Sequence, residues 1–269
     1  KETSHQERRI CLTPDAVNSL TSHGHRVMVE AGAGESSSYS DKEYSDAGAE
    51  VTKDQKKVFS CPMILKVEPA SLPEIEMMNQ NTIIISAIQI KTRKKDYFEA
   101  LTKKKITALA FEYIKDEDGT YPAVKSLSEI AGTASILIAA ELMTNDNNGK
   151  GLLLGNINGV PPTEVVIIGA GTAGEFAARA ALGLGANIKM FDNSIVKLRR
   201  MQNVLGQRIY TSTIQPKILL KALRRCDVAI GALRGNGRAP IVVTETMMEY
   251  MKKGAVIVDI SIDNGGCFE

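Results

Sequence analysis

Short runs of β-branched and apolar residues alternate with stretches of helical period along nearly the whole chain. That alternation is the pattern of βαβ units wound around parallel sheets. In the first half it predicts strands over 25–30, 63–67, 82–88 and 106–113, and helices over 14–22, 41–47, 71–78 and 96–104. Thr13 before Pro14 is a helix start, because a capping hydroxyl and a proline at the first helical position both favour initiation. Gly24 closes that helix where a left-handed residue is easiest. The stretch 116–119 reads as a turn, and an Ala- and Ile-rich helix follows over 128–143, with Gly132 open to close approach by another backbone.

After the polar stretch 145–151 and the stiff Pro161-Pro162, a second series begins. It predicts strands over 165–168, 188–192, 208–213, 228–232 and 256–260, with helices over 173–184, 195–205, 216–225 and 244–253. Five strands with helical crossovers make a doubly wound sheet. The fold class is therefore α/β, with two Rossmann-like doubly wound domains and a cleft between them, divided as 1–127 and 128–269.

The chain has 269 residues, 43% apolar and 24% charged, enough to build two cores and unlike a disordered or disulfide-dense sequence. A net charge of +2, aromatics at 5% and no Trp offer neither a nucleic-acid footprint nor a base-stacking surface. Cys11, Cys61, Cys226 and Cys267 are scattered without a C-x-x-C pair, which suits a reducing compartment and no metal. The longest membrane-like stretch, 130–143, carries Glu141 and is too short to cross a bilayer. With no basic-then-apolar leader at its start, a cytoplasmic protein is the expectation. Lys1 in place of an initiator Met, and an end straight after Gly265-Gly266, predict a fragment cut at both ends.

Gly169-Ala-Gly171-Thr-Ala-Gly174 holds the most chemistry. Such a match alone is weak, but this one follows the apolar strand Val165-Val166-Ile167-Ile168 and opens a helix, which is the context a dinucleotide-binding turn requires. Gly169 permits the tight turn, Gly171 lets a pyrophosphate approach the backbone, and Gly174 lets the helix pack on the sheet. Thr172 and Ala173 then offer helix N-terminal N–H groups to the phosphates. Asp192 ends the second strand near the customary spacing of about 20 residues for a ribose-binding acid. A carboxylate there accepts both ribose hydroxyls and repels a 2′-phosphate, predicting NAD(H) over NADP(H), although Lys197 could offset part of that repulsion. The alternative is a glycine-rich turn in an αβ domain with no nucleotide.

Further stretches carry a resemblance. Lys1-Glu2 leading to Arg9-Ile-Cys-Leu-Thr-Pro14, then Glu30-Ala-Gly-Ala-Gly34, Leu65-Lys66-Val67, Ser128-Glu-Ile-Ala-Gly132 and Gly149-Lys-Gly-Leu-Leu-Leu-Gly155 belong to it, as do the glycine loop and the run from Val258 to Glu269. Together they resemble the alanine dehydrogenase and transhydrogenase α-subunit family, over the whole chain. From Gly149 onward the run sits closer to alanine dehydrogenase.

The resemblance implies NAD-dependent conversion of L-alanine to pyruvate and ammonia. It also implies an Arg9 that holds the substrate carboxylate, a Lys66 that meets the carbonyl or amino centre, and an Asp263 that orients water and ammonia near the nicotinamide. Ser128, Asp192 and Leu233 match cofactor contacts, and assembly into a homo-oligomer, often a hexamer, is implied as well. Read from the residues alone, Arg9 is equally a solvated charge beside Arg8, and Asp263 an ordinary turn acid. Lys66 ends an apolar run, where a charge is costly unless it has a partner or a task.

One departure stands out. Where the family carries a histidine, this chain has Gln89, which can orient a substrate but cannot exchange a proton usefully. His5, His23 and His25 lie too early in the chain to take its place. Two other functions stay open: the NAD(H)-binding component of a proton-translocating transhydrogenase, which needs a membrane partner, and a non-catalytic NAD-binding redox sensor.

Overall fold

The computed structural model describes residues 1–4, 7–90, 92–235 and 238–269, so His5 lies outside the described residues. The chain divides into two compact units, Lys1–Ala123 and Val124–Glu269.

The first unit opens with α1 (Pro14–Ser22), where the Thr13 hydroxyl accepts the Ala16 N–H at 3.3 Å and Gly24 turns at φ +84°. His23 is the C-terminal cap of this helix, so its place needs no chemistry to explain it. The series continues with β1 (Met28–Glu30), α2 (Asp41–Asp46), β2 (Glu50–Thr52), α3 (Gln55–Phe59) and β3 (Met63–Leu65). It closes with α4 (Leu72–Met77), β4 (Ile83–Ser86), α5 (Lys95–Lys103) and β5 (Thr107–Ala110).

All strand pairing is parallel, but the sheet comes in two pieces, β1-β2 and β3-β4-β5. Each piece has its own apolar cluster. Val17, Tyr44 and Ala49 pack with the first; Phe59, Ile64, Ile75, Ile84, Tyr97 and Leu101 pack with the second. The β2–α3 segment is absent from the sequence reading because its strand is three residues long with a single apolar one, too short to show a period. The strand predicted over 106–113 stops at Ala110, and a 3₁₀ turn, Phe111–Tyr113, carries Glu112.

The second unit is built on one sheet. After α6 (Pro122–Leu142) come β6 (Glu164–Ile168), α7 (Thr172–Gly183), β7 (Asn187–Phe191), α8 (Ile195–Val204) and β8 (Tyr210–Ser212). Then follow α9 (Pro216–Leu223), β9 (Val228–Gly231), α10 (Glu245–Glu249) and β10 (Val256–Asp259). The parallel order β10-β9-β6-β7-β8 runs outward both ways from β6, so the direction of winding reverses between β6 and β9. Ligands of doubly wound sheets bind outside the carboxyl ends of the strands at such a point. Val165 and Ile167 belong to one core cluster and Val166 and Ile168 to the other, all four fully buried, as a strand covered on both faces requires.

α6 corrects one expectation. It starts well before 128, and at 21 residues it is long and apolar enough by length and composition to span a bilayer. One face of it, with Ile136 and Ala139, is fully buried in the same cluster as Ala177 and Ala181 of α7, while Ile130, Leu137 and Ile138 are exposed. A Cβ on Gly132 would overlap the Ala173 carbonyl oxygen, so the two helices touch backbone to backbone.

Candidate functional site

In both units predicted site residues follow parallel strands, the glycine turn and Asp192 in the second and Lys66 and Gln89 in the first. Ser128 and Lys197 lie on helices, and Arg9 before α1. In the second unit, the turn leaving β6 is made of backbone. Gly169 stands at φ +119°, and a Cβ there would overlap the Ala232 carbonyl and come 3.0 Å from the Leu233 nitrogen, so the loop after β9 presses against it. A Cβ on Gly174 would overlap the Gly169 carbonyl oxygen, which ties α7 to the turn it leaves. Gly171 differs from both: nothing lies within 4 Å of a Cβ built on it. It is the N-terminal cap of α7 and has no side-chain capping bond, so the first-turn N–H groups of Thr172 and Ala173 face that opening without a protein acceptor at the cap. Unpaired N–H groups and the positive end of a helix dipole are what a diphosphate needs. The residues present fit a dinucleotide.

Asp192, 6% exposed, follows β7. One carboxylate oxygen accepts the Ala170 N–H at 2.8 Å and the other accepts the Ser194 N–H at 2.7 Å. The acid therefore fixes the glycine turn from behind. A carboxylate has about four acceptor sites, so two are left for ribose hydroxyls. Lys197 is exposed in the first turn of α8, where its own N–H caps on Ser194 at 3.3 Å. Ser128, on α6, donates to the Val124 carbonyl at 2.8 Å, and Leu233 is half-buried against the cluster holding Ile168.

The loop leaving β10 is closed by Asp259. It accepts the N–H of Ser261 at 2.8 Å on one oxygen, and those of Cys267 at 2.7 Å and Phe268 at 3.3 Å on the other. The short 3₁₀ turn Ile262–Asn264 stands out from this loop and presents Asp263 to solvent. Gly231 on β9 leaves room for the latch, since a Cβ there would come within 2.6 Å of both the Asp259 carboxylate and the Cys267 sulfur.

The first unit assembles its end from charged side chains. Lys66 follows β3, with 7% of its side chain exposed and its Nζ 2.8 Å from Glu74 and 3.7 Å from Glu2. Glu74 is also the third residue of α4 and closes a capping box, accepting the Ser71 N–H at 2.6 Å. Burial pushes its carboxyl up, but hydrogen bonds from Lys66 and the Ser71 backbone outweigh that and hold it below the ordinary range. Glu2 accepts the Val67 N–H at 2.7 Å. The Lys66 ammonium has three donors, of which Glu74 takes one at hydrogen-bond distance.

Arg9 is half exposed and meets Glu7 side-on, through Nε at 2.9 Å and Nη2 at 2.6 Å, and Nη2 also reaches Glu68 at 3.4 Å. Hydrogen bonding to Arg9 keeps Glu7 below the ordinary carboxylate range. Gln89, after β4, holds a left-handed backbone at φ +53° while Glu112 accepts its N–H at 2.7 Å and that of Ile88 at 3.2 Å. Its side-chain amide donates to Glu68 at 3.3 Å and accepts from Arg93 Nη2 at 2.7 Å. The structure thus draws Arg9 and Gln89 together around a residue the sequence did not single out, Glu68.

Residues 1–131 match the N-terminal domain, and residues 135–269 the C-terminal domain, of the family described as alanine dehydrogenase/PNT. Alanine dehydrogenase of Mycolicibacterium smegmatis is 39% identical over all of this chain and 72% of its own length. The chain belongs to the alanine dehydrogenase/PNT family. Alanine dehydrogenase 2 of Staphylococcus aureus is 36% identical over the same shares. A solved L-alanine dehydrogenase superposes with a TM-score of 0.94 at 33% identity, covering 100% of this chain and 74% of that one. For a transhydrogenase from Sinorhizobium meliloti the values are 0.86 and 27%, over 100% and 79%. Membership makes the chain an oxidoreductase of two α/β domains with a Rossmann-like nucleotide-binding unit.

Within the family frame, the residues missed from sequence are Glu2, Glu7, Glu68, Glu74 and Glu112. Glu74 had a local signal, the Ser71-x-x-Glu74 spacing of a capping box. Glu2 and Glu112 act on backbone N–H groups 65 and 23 residues away, and no local pattern announces such a pairing.

Proposed function

We propose that this chain carries out the reversible, NAD-dependent oxidative deamination of L-alanine to pyruvate and ammonia. Carrying it is the open cradle at Gly171 with Asp192 behind it, in a chain whose relatives are named alanine dehydrogenases. Bound NAD⁺ supplies the acceptor for the hydride that leaves the substrate Cα. The unit Val124–Glu269 is the cofactor domain and Lys1–Ala123 the substrate domain, a boundary at 124 rather than the 128 that the sequence predicts, because α6 begins before Ser128. The turn Gly169, Gly171, Thr172, Ala173 and Gly174 takes the diphosphate, Asp192 takes the adenosine ribose, and Ser128 and Leu233 border the cofactor. Asp192 favours NAD(H) over NADP(H), because a 2′-phosphate would meet a buried carboxylate.

Arg9 takes the substrate carboxylate, since its planar guanidinium offers donors beyond the two that Glu7 holds. Lys66 is held by Glu74 and meets the substrate carbonyl or amino centre through its remaining donors. Gln89 orients the substrate through its amide. Asp263 positions the water that hydrolyses the iminium and the ammonia that departs. A homo-oligomer in the cytoplasm is the assembly and place that fit, with the four cysteines free among the described residues. The transhydrogenase-component reading has weaker support, at 27% identity to the solved example.

The deciding experiment follows NADH formation over a panel of small amino acids, with cofactor binding measured by calorimetry. Turnover of alanine with tighter NADH than NADPH binding supports the reading. Binding without turnover of any amino acid replaces it with the redox-sensor reading, and the absence of cofactor binding removes both.

A further inference from the structure

An amino acid enters oxidation as its ammonium form, and the nitrogen must lose one proton before its lone pair can form the C=N bond as hydride departs. Gln89 cannot take that proton. His23 and His25 belong to the end of α1 and the turn after it, and Lys66 is engaged with Glu74. We propose that Glu68 is the catalytic residue that accepts the proton of the substrate ammonium. This rests on the alanine dehydrogenase reading.

Glu68 lies just beyond β3, and its carboxylate is at once 3.4 Å from Arg9 Nη2 and 3.3 Å from Gln89 Nε2. Arg9 is the residue that grips the substrate carboxylate, and in an α-amino acid the nitrogen sits on the carbon next to that carboxylate. A base beside the guanidinium is therefore beside the ammonium. The backbone N–H of Glu68 donates to Glu2 at 3.3 Å, and Gln89 is held in turn by Arg93, so the carboxylate has a fixed approach on two sides.

The groups facing Glu68 are Glu7, Arg9, Glu2 and Arg93. Partial burial, and after it the charge of Glu7, push its carboxyl above the ordinary range, while Arg9 and Arg93 pull the other way. A carboxylate with a raised affinity for protons is a better base near neutral pH than an ordinary one. In the step itself one N–H bond of the ammonium breaks, its electron pair stays on nitrogen, and an O–H bond forms on Glu68. No other reactant is consumed. In the reverse direction the same proton returns to the amine.

The test compares Glu68→Gln and Glu68→Asp with the parent protein. We expect Glu68→Gln to lower kcat for alanine about a hundredfold or more, the range of a lost general base, with KM within about threefold and NADH affinity by calorimetry unchanged. The acidic limb of the kcat/KM profile disappears in Glu68→Gln and persists, at reduced kcat, in Glu68→Asp. In the parent, carbon NMR of the Glu68 carboxyl shows titration above the ordinary glutamate range, moving down in Glu7→Gln. A Glu68→Gln protein with kcat within threefold, or with its acidic limb intact, overturns the proposal while leaving the dehydrogenase reading standing. If Glu68→Gln fails to hold NADH, Glu68→Asp and the NMR titration decide, and an ordinary titration overturns the proposal. A parent protein inert toward alanine overturns the functional reading first.

Discussion

The second unit makes its ligand-facing end from backbone, and the first makes its own from side chains. At Gly169, Gly171 and Gly174 the decisive atoms are carbonyls and N–H groups, and the side chains matter by being absent. At Glu68, Arg9, Gln89 and Lys66 the decisive atoms are carboxylates, a guanidinium, an amide and an ammonium that neutralise one another. A backbone site is rigid: Gly169 and Gly174 leave no room for an added atom, and the space at Gly171 is open only for a ligand. A charge network tolerates substitution geometrically but leaves the remaining partners unpaired. The two therefore fail in different ways.

The largest effect belongs to the backbone. Gly174→Ala puts a Cβ into the Gly169 carbonyl, so about 3 kcal/mol of stability and all measurable NADH binding are lost, as thermal melting and calorimetry will read. Gly171→Ala breaks the comparison within a single loop. Its φ of −80° suits alanine and nothing occupies the space, so the melting temperature holds while NADH binding weakens about tenfold or more because the diphosphate loses its approach. Equal destabilisation by both changes would contradict the division between packing glycine and ligand glycine.

In the first unit, Lys66→Met leaves Glu74 buried without its cation and costs about 3–5 kcal/mol in chemical denaturation. The sign with pH discriminates further. In the parent, Glu74 is held below its unfolded value, so its contribution is present above the unfolded value near 4.3 and fades as pH falls through the folded one. In Lys66→Met burial is opposed only by the Ser71 hydrogen bonds, so the carboxyl moves up from its parent value and that protein loses less stability than the parent as the pH is lowered. A parallel pH dependence of the two proteins would mean that Lys66 does not hold Glu74.

Asp192→Asn is a milder change. The amide nitrogen must face either the Ala170 or the Ser194 N–H, donor against donor, loosening the turn. NADH binding weakens about tenfold, or about 1.4 kcal/mol, and the preference over NADPH narrows. Smallest is the response of the buried thiols. Burial first, and neighbouring carboxylates after it, push Cys226 and Cys267 up to about 12. Neither reacts with a thiol reagent at pH 8 until the protein is unfolded in guanidinium, a contrast that thiol counting checks.

The legibility of the two units follows the same division. The strand before Gly169 and the helix after it were plain in the sequence, because Val165 to Ile168 are all buried and no polar residue interrupts the run. In the first unit the strands are three or four residues long and the sheet comes in pieces, so the period is brief and β2 passed unseen. The helix α6 extends before Ser128 to Pro122, through a turn that is largely exposed. Lys66 was recognisable as a charge needing a partner; which partner it has was not.

By itself the sequence determined the alternation of strands and helices, the glycine turn with its acid, and the membership those motifs announce, because each is written in neighbouring residues whose spacing is the physics. Only the tertiary structure decided that Lys66 is committed to Glu74, that Asp259 rather than Asp263 closes the last loop, and that Glu68 stands between Arg9 and Gln89. Of those pairings the last joins residues 59 and 21 positions apart, and the first two close short loops whose spacing follows no helical or strand period. Their energy depends on burial and distance, quantities that exist only after the strands have brought their ends to one edge.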